Sequence, residues 1–443
     1  MPRRPVRAGR LARTLALCSV QFVDVMCVTV VATALPAMLA DLDGSAADGT
    51  VIAAAYATFF GGLLLFGARV GQRVGHRRTI STSIAVFSVG AVIAALSPSA
   101  LVLAGARALQ GGAAACAVPS ALTLLTAQAP DEHTRAKAVA AWSASGAAAG
   151  ISGFVLGGVL TQFGGWRTIF WSLVPVSALL VVAVLAVIPA DPPQRVREPF
   201  NAFGAAAATG AVILTVVGTS SLGENAWRGA ALLVSAALMT AIFIAVDRRA
   251  ANPLVPAALA RLPTVRWGST TAFVNTATTS GVATALTLHL QATQGYSPTA
   301  AAATLVPLSI MVIVGAAAAG QLVRALGTAA IGTIGMGLIA TGIGALVAWP
   351  TGAAVTIATA VMGCGLGISS VASTATALSV PDEARTTASG LVNTAAQLGT
   401  AVGTAVPLLL VASFAPRPAW VVAAVLAAAT AVAWSRRHSD IDR

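Results

Sequence analysis

The chain has 443 residues, 57% of them hydrophobic and only 9% charged, with a formal net charge of +12. Its mean hydropathy is +0.85, whereas roughly a quarter of the residues in a soluble domain are charged. These values exclude an ordinary soluble enzyme. They also set aside nucleic-acid binding as the reason for the positive charge, because the basic residues sit in short loops between apolar blocks.

The blocks run to about 20 residues, the length a helix needs to cross a bilayer. The alternating ten-residue segments of a membrane β-barrel are absent. The fold class is therefore an all-α polytopic membrane protein. The basic N-terminus, MPRRPVRAGRLAR, precedes an apolar run at 14–39 that is too long for a cleaved leader and contains Asp24, so it is read as a retained first helix. Further spans are predicted at 51–70, 79–97, 99–127, 137–161, 167–189, 202–222, 229–246, 267–290, 298–320, 329–348, 353–379, 386–413 and 418–435, fourteen in all. The seventh and eighth are Ala-rich and open to a re-entrant reading. Four dispersed cysteines (Cys18, Cys27, Cys116, Cys364) show no metal spacing and read as packing residues.

Loop charge sets the orientation. With a cytoplasmic N-terminus, the inner loops hold Arg3, Arg4, Arg7, Arg10 and Arg13, then Arg69, Arg73, Arg77 and Arg78, and later Arg195, Arg197, Arg248, Arg249, Arg324, Arg385 and Arg436. The outer loops keep Arg167, Arg228 and Arg417 beside Asp41, Asp43, Asp48 and Glu224. This positive-inside asymmetry places both termini in the cytoplasm of a multi-pass plasma-membrane protein.

An internal repeat divides the chain. Pro130-Asp131-Glu132 recurs as Pro381-Asp382-Glu383, and each triplet opens a small-residue helix with glycines at four-residue spacing (Gly146, Gly150, Gly153 and Gly157; Gly399 and Gly403). The expected organisation is a six-helix bundle over 1–190, two inserted helices with linkers over 191–266, and a second six-helix bundle over 267–443, with cargo held between the halves.

The loop ARVGQRVGHRRT after the second span, RALQGGAAA in the fourth, and GAAAGISGFVLGG followed by WRTIFWSLVP in the fifth together resemble the major facilitator superfamily, in its fourteen-helix drug:proton antiporter branch. The resemblance spans nearly the whole chain. It implies that Gly71, Gln72, Arg73, Gly75, Arg77 and Arg78 form a conformational gating loop, although setting topology alone would also explain those arginines. An aspartate that latches this loop in the family is replaced here by Gln72. It implies that Arg107 faces the interior and takes part in proton handling. It makes Gly146, Gly150, Gly153, Gly157 and Gly158 the packing glycines of an antiporter motif, in which Gly153-Phe154 stands where the family usually has Gly-Pro. The family's first-span aspartate position is held by Cys27, with Asp24 one turn earlier and on a similar face.

Asp24 is the one acidic residue placed deep within a predicted span and Arg107 the one deep cation. A charge at that depth must be paired, hydrated or neutralised. If both face the cavity between the halves, Asp24 becomes the proton-coupling group with Arg107 as its partner; the alternative is a permanent structural pair. His289, near the outer end of the ninth span, reads as an interfacial polar residue. The expected cavity is lined by Ala, Gly, Val, Thr and Ser, with Cys27, Gln110, Asn275, Asn393 and Gln397 as polar points. One carboxylate argues against dicationic cargo. The expected function is proton-coupled efflux of small lipophilic compounds such as antibiotics, by alternating access and as a monomer. The alternatives are metabolite uptake on the same fold and a non-transporting membrane sensor. No enzyme motif, cofactor site or metal site is read from the sequence.

Overall fold

The computed structural model describes residues 4–128, 131–190, 201–222, 225–250, 253–413 and 417–441. Arg3, Pro130, Arg195, Arg197 and Glu224, which entered the orientation and repeat readings, lie outside these. The described residues are almost entirely helical: α1 (Arg4–Asp41), α2 (Ala46–Val74), α3 (His76–Ala95), α4 (Ala100–Ala127), α5 (Glu132–Gly164), α6 (Arg167–Val187), α7 (Ala202–Ser221), α8 (Ala226–Arg249), the short α9 (Ala257–Arg261), α10 (Pro263–Leu288), α11 (Pro298–Ala348), α12 (Ala353–Ala377), α13 (Asp382–Ser413) and α14 (Arg417–Ile441).

Ten of these are long and apolar enough to cross a bilayer. The shorter α7, and the Thr-, Asn- and Gln-bearing α10 and α13, complete the set. α11 comprises two helical spans that meet at a kink. Gly327, at φ 79° and ψ 165°, turns the chain between them in a conformation essentially reserved for glycine. With that division, the fourteen spans read from the sequence are all present as helices. A π-helical turn (His289–Thr293) closes α10, and the sequence pattern did not disclose it.

The helix starts follow local chemistry. Ser45 and Asp48 form a reciprocal capping box on α2, Asp131 accepts from the Thr134 N–H at the head of α5, and Ser297 caps α11 just before Pro298. Gly75, at φ 104°, makes the tight turn between α2 and α3.

α1 to α6 pack as one bundle and α10 to α14 as the other, with α7 and α8 as an antiparallel pair beside them. α7 lies against α2 and α13, with Gly62 packed on Thr209. α8 is the outermost helix, leaving Trp227, Val234 and Leu238 exposed where lipid would lie. Both inserted segments are continuous helices over their described residues.

Close helix approach at glycines occurs in both bundles. Gly153 and Gly157 of α5 press on the carbonyls of Met26 and Val30 in α1; Gly399 and Gly403 of α13 press in the same way on those of Phe273 and Ala277 in α10. Gly111 of α4 meets the Tyr56 carbonyl as Gly363 of α12 meets that of Leu308. In lipid, where apolar burial gives helices little reason to associate, such close backbone approach supplies the packing.

The two bundles touch along α2–α13 and α5–α11. Ala54 and Ala57 pack on Ala401 and Ala405, Gly61 on Gln397 and Leu398, and Gly158 on Pro298 and Ala302. Thr299 donates to the Gln162 carboxamide, and Gln291 donates to the Thr33 carbonyl at 3.0 Å. These contacts lie from mid-bundle to the end remote from the N-terminus, so the seam is shut at that end.

Candidate functional site

Two features occupy the interior, and they are separate. The first is a polar cluster buried inside the N-terminal bundle. Asp24, on α1, is 6% exposed and accepts a hydrogen bond of 2.6 Å from the Tyr56 hydroxyl on α2. Arg107, on α4, is 1% exposed, with its guanidinium 4.5 Å from the centre of the Tyr56 ring. Its Nη1 reaches Cys27 Sγ at 2.8 Å and Gln110 Oε1 at 3.1 Å. Arg107 Nε and Gln110 Nε2 have no hydrogen-bond partner among the described residues.

Asp24 and Arg107 are thus neighbours through Tyr56 and form no direct ion pair. The phenol gives its hydroxyl to the carboxylate and its ring face to the cation, which suits an aromatic quadrupole. A space of about 20 Å³ beside Asp24 is walled by Val20, Val23, Ser83, Phe87 and Ala117 among others. That is room for roughly one water molecule. The cluster faces into its own bundle, toward α3, α4 and α6, and not into the gap between the bundles as the sequence reading expected.

The second feature is that gap. A cavity of about 230 Å³ is lined from one side by Val25, Val28, Thr29, Val31, Ala32, Ala53, Gly146, Gly150 and Phe154, and from the other by α10, α11, α12 and α13. Its polar points are the hydroxyl residues Thr29, Thr279, Ser280, Thr284, Ser309, Thr400 and Thr404. Among the described residues, its wall carries no ionisable side chain. Ala, Gly, Val, Thr and Ser make up much of this wall.

The expected polar points are elsewhere. Cys27 and Gln110 belong to the Arg107 cluster. Asn275, 1% exposed, donates to Ser370 Oγ at 3.0 Å inside the C-terminal bundle. Gln397 sits in the α2–α13 seam and Asn393 is half-buried on α13. Cys27, Gln110 and Asn275 each find a partner within their own bundle through one atom, while Gln110 Nε2 and Asn275 Oδ1 have none among the described residues.

The gating-loop residues lie at the N-terminal face. Gln72, Arg73 and Arg78 are exposed, while Gly71 is packed against Ser120 and His76. Arg77 donates to the Leu185 carbonyl at 2.7 Å and Arg13 to that of Val187 at 3.0 Å. Both satisfy the open C-terminal end of α6. Arg69 donates to the Pro253 carbonyl at 2.8 Å in the stretch leading to α9. Asp247 of α8 anchors that stretch, accepting from the Leu254 and Val255 N–H groups at 2.7 and 2.9 Å and from Asn201 at 2.7 Å.

Sequence reading missed Tyr56 and Asp247. The first left a signal: the chain has two tyrosines, and one in mid-span needs a partner for its hydroxyl.

A sequence profile of the Major Facilitator Superfamily matches residues 17–404. The chain belongs to the major facilitator superfamily. It is a multi-pass membrane transport protein and not an enzyme. The cephamycin export protein CmcT of Amycolatopsis lactamdurans is 34% identical over 92% of this chain and 87% of its own length. The tetracenomycin C resistance and export protein of Streptomyces glaucescens is 31% identical over 87% of this chain and 73% of its own. The probable actinorhodin transporter of Streptomyces coelicolor is 30% identical over 91% and 72%. Among solved structures, the human organic anion transporter MFSD10 superposes with a TM-score of 0.68 over 96% of this chain and 99% of its own, at 13% identity. The nucleoside transporter NupG does so with a TM-score of 0.65 over the same shares, at 14% identity. At that identity the likeness is one of fold.

Proposed function

We propose that this protein exports small, uncharged, lipophilic compounds of the antibiotic kind in exchange for protons, by alternating access. The observation that carries the reading is the cavity between the bundles: apolar, studded with hydroxyls from both halves, and without an ionisable side chain among the described residues of its wall. Such a wall leaves a charged cargo unpaired at membrane depth, which costs several kcal/mol, and accepts a neutral cargo that exchanges a few hydrogen bonds with Thr and Ser. The named relatives support export as the direction. Loop charge puts both termini in the cytoplasm, so a seam shut at the remote end leaves the cavity on the cytoplasmic side, where an exporter loads.

Asp24 is the proton carrier in this reading, with Arg107 as the fixed cation nearby and Tyr56 between them. One proton moving down about 100 mV supplies roughly 2.3 kcal/mol, enough for a cargo gradient of about fifty-fold. The molecule works as a monomer.

The experiment is proton movement in proteoliposomes on addition of a neutral lipophilic antibiotic, comparing the native chain with Asp24→Asn. Native vesicles move both species; the variant moves neither against a gradient. Unchanged coupling in Asp24→Asn refutes the role given to that residue, and tight export of a dicationic dye refutes the cargo class.

A further inference from the structure

α5 presents two stripes of residues to two different neighbours. Gly153 and Gly157 face α1, where an added Cβ would come within 2.9 Å of the Met26 carbonyl or 2.8 Å of that of Val30. Gly150, Phe154 and Gly158, at the four-residue spacing that lines one helix face, look instead across the seam. A Cβ on Gly150 would lie 3.2 Å from Ser309 Oγ, and one on Gly158 would lie 3.0 Å from the Pro298 carbonyl. Two points of near contact with α11 therefore flank a large aromatic side chain.

Phe154 is 4% exposed, and its partners are the core of the other bundle: it joins the cluster of Val282, Ala283, Leu286, Leu305 and Leu308. It belongs to one half by chain and to the other by packing. It also stands in the wall of the central cavity, one helical turn short of the contact between Gly158 and α11. Beyond it toward the remote end come the polar contacts of Gln162 with Thr299 and of Thr33 with Gln291.

We propose that Phe154 is a wedge that closes the remote end of the cavity and fixes the largest cargo the cavity takes. A glycine stripe brings α5 close to α11 but offers little apolar surface of its own. The phenyl ring supplies that surface, since an aromatic side chain buries roughly 150–250 Å². The halves can part at the remote end only when the ring leaves its socket, and cargo long enough to reach the socket has to displace it. The word cargo rests on the export reading; the closing of the seam does not.

The test uses the full chain in lipid nanodiscs with Gln162→Cys and Thr299→Cys, which meet across the seam, and the native four-cysteine chain as background. Oxidative cross-linking reports closure without any cargo. The pair should cross-link fast with Phe154 intact, at least about fivefold slower in Phe154→Ala, the effect of a kcal/mol or so, and at an intermediate rate in Phe154→Leu. Equal rates in all three overturn the wedge. The size limit is read by binding of naphthalenemethanol, anthracenemethanol and pyrenemethanol, with empty nanodiscs subtracted. Phe154→Ala should improve pyrenemethanol relative to naphthalenemethanol by about tenfold, equivalent to roughly 1.4 kcal/mol; an unchanged size order overturns that part. Native vesicles that export none of these alcohols, while cross-linking still depends on Phe154, refute export and leave the wedge standing.

Discussion

The glycines of α5 look alike in sequence and differ in what an added methyl would meet, which makes them a direct test of close packing. Consider Gly157→Ala. The new Cβ would overlap Thr33 Oγ1, already held on the Val30 carbonyl at 2.9 Å. It would also lie 2.8 Å from that carbonyl oxygen and 3.1 Å from Val30 Cα. Carbon atoms pack best at about 3.5–4.0 Å, and two of the three atoms met are backbone, so α1 and α5 must part. A gap of about 0.5–1 Å forfeits roughly a quarter to a half of the attraction of each contact along the pair. Overpacking of this kind costs about 1–3 kcal/mol, and the upper half of that range is expected here. Gly146→Ala is the control. Its Cβ would meet the far end of the Gln21 side chain at 3.2 Å, with Gln21 Cγ at 3.7 Å and Val25 Cγ2 at 3.8 Å in ordinary contact. The amide can swing away, and alanine is better than glycine inside a helix by up to about 1 kcal/mol, so this variant should match or exceed the native stability. Gly403→Ala, against the Ala277 backbone, should fall with Gly157→Ala. The assay is the thermal midpoint of detergent-solubilised protein followed by size-exclusion fluorescence. A drop in Gly146→Ala as large as that in Gly157→Ala would falsify the argument from backbone distance.

Three further outcomes follow from named contacts. Tyr56→Phe removes the 2.6 Å bond to Asp24 and should cost about 1.5–3 kcal/mol; in a double-mutant cycle with Asp24→Asn the second change should cost much less than the first, and full additivity would deny the coupling. Asp247→Ala orphans the Leu254 and Val255 N–H groups, at about 1–3 kcal/mol each. Trypsin should then cleave at Arg261 sooner, with Asp247→Asn in between. Gly327→Ala meets no neighbouring atom but forces φ 79° on a residue with a Cβ; about 1–3 kcal/mol of strain should lower the thermal midpoint, and a neutral result would mean that the turn between the two spans of α11 relaxes freely.

The span pattern was open to reading because each helix must carry its own apolar block and each loop its own charge. Hydropathy alone located even α7 and α8. What escaped was set by contact between distant segments. The π-turn at His289–Thr293 has no composition of its own; its ring partner Trp420, 5.8 Å from His289, comes from the far end of the chain. Asp24 and Arg107 stood out as charges in lipid, yet their bridging by a tyrosine depended on α2 packing beside both α1 and α4. The amides Asn275 and Gln397 read as cavity residues because they are polar in apolar helices. They could as readily satisfy themselves inside a bundle or a seam, and sequence does not distinguish the two. The glycine spacing of α5 was plain, whereas the division of its stripes between α1 and α11 required the packing.

The separation of the two interior features constrains any coupling between them. Among the described residues no ionisable side chain lines the cavity, and Asp24 is enclosed by its own bundle. Direct competition of cargo and proton for one carboxylate is therefore closed off in this conformation. One element belongs to both features: α1 points Asp24 and Cys27 into the cluster and Val25, Val28, Thr29 and Ala32 into the cavity, within two to three turns of one helix. α1 is also the helix on which Gly153 and Gly157 of α5 rest, and α5 carries Phe154 into the other bundle. A change in how Asp24 is held by Tyr56 would tilt or turn α1, and the close-packed α5 would have to follow, because interlocked backbones move as a unit. Under the proposed exchange, proton and cargo communicate through the position of two helices rather than through a shared site. On that basis Gly157→Ala, by loosening α1 from α5, should uncouple proton movement from export at temperatures where the protein is still folded, while Gly146→Ala should leave the coupling intact. Equal coupling ratios in the two variants, measured in the same proteoliposomes, would place the link outside the α1–α5 pair.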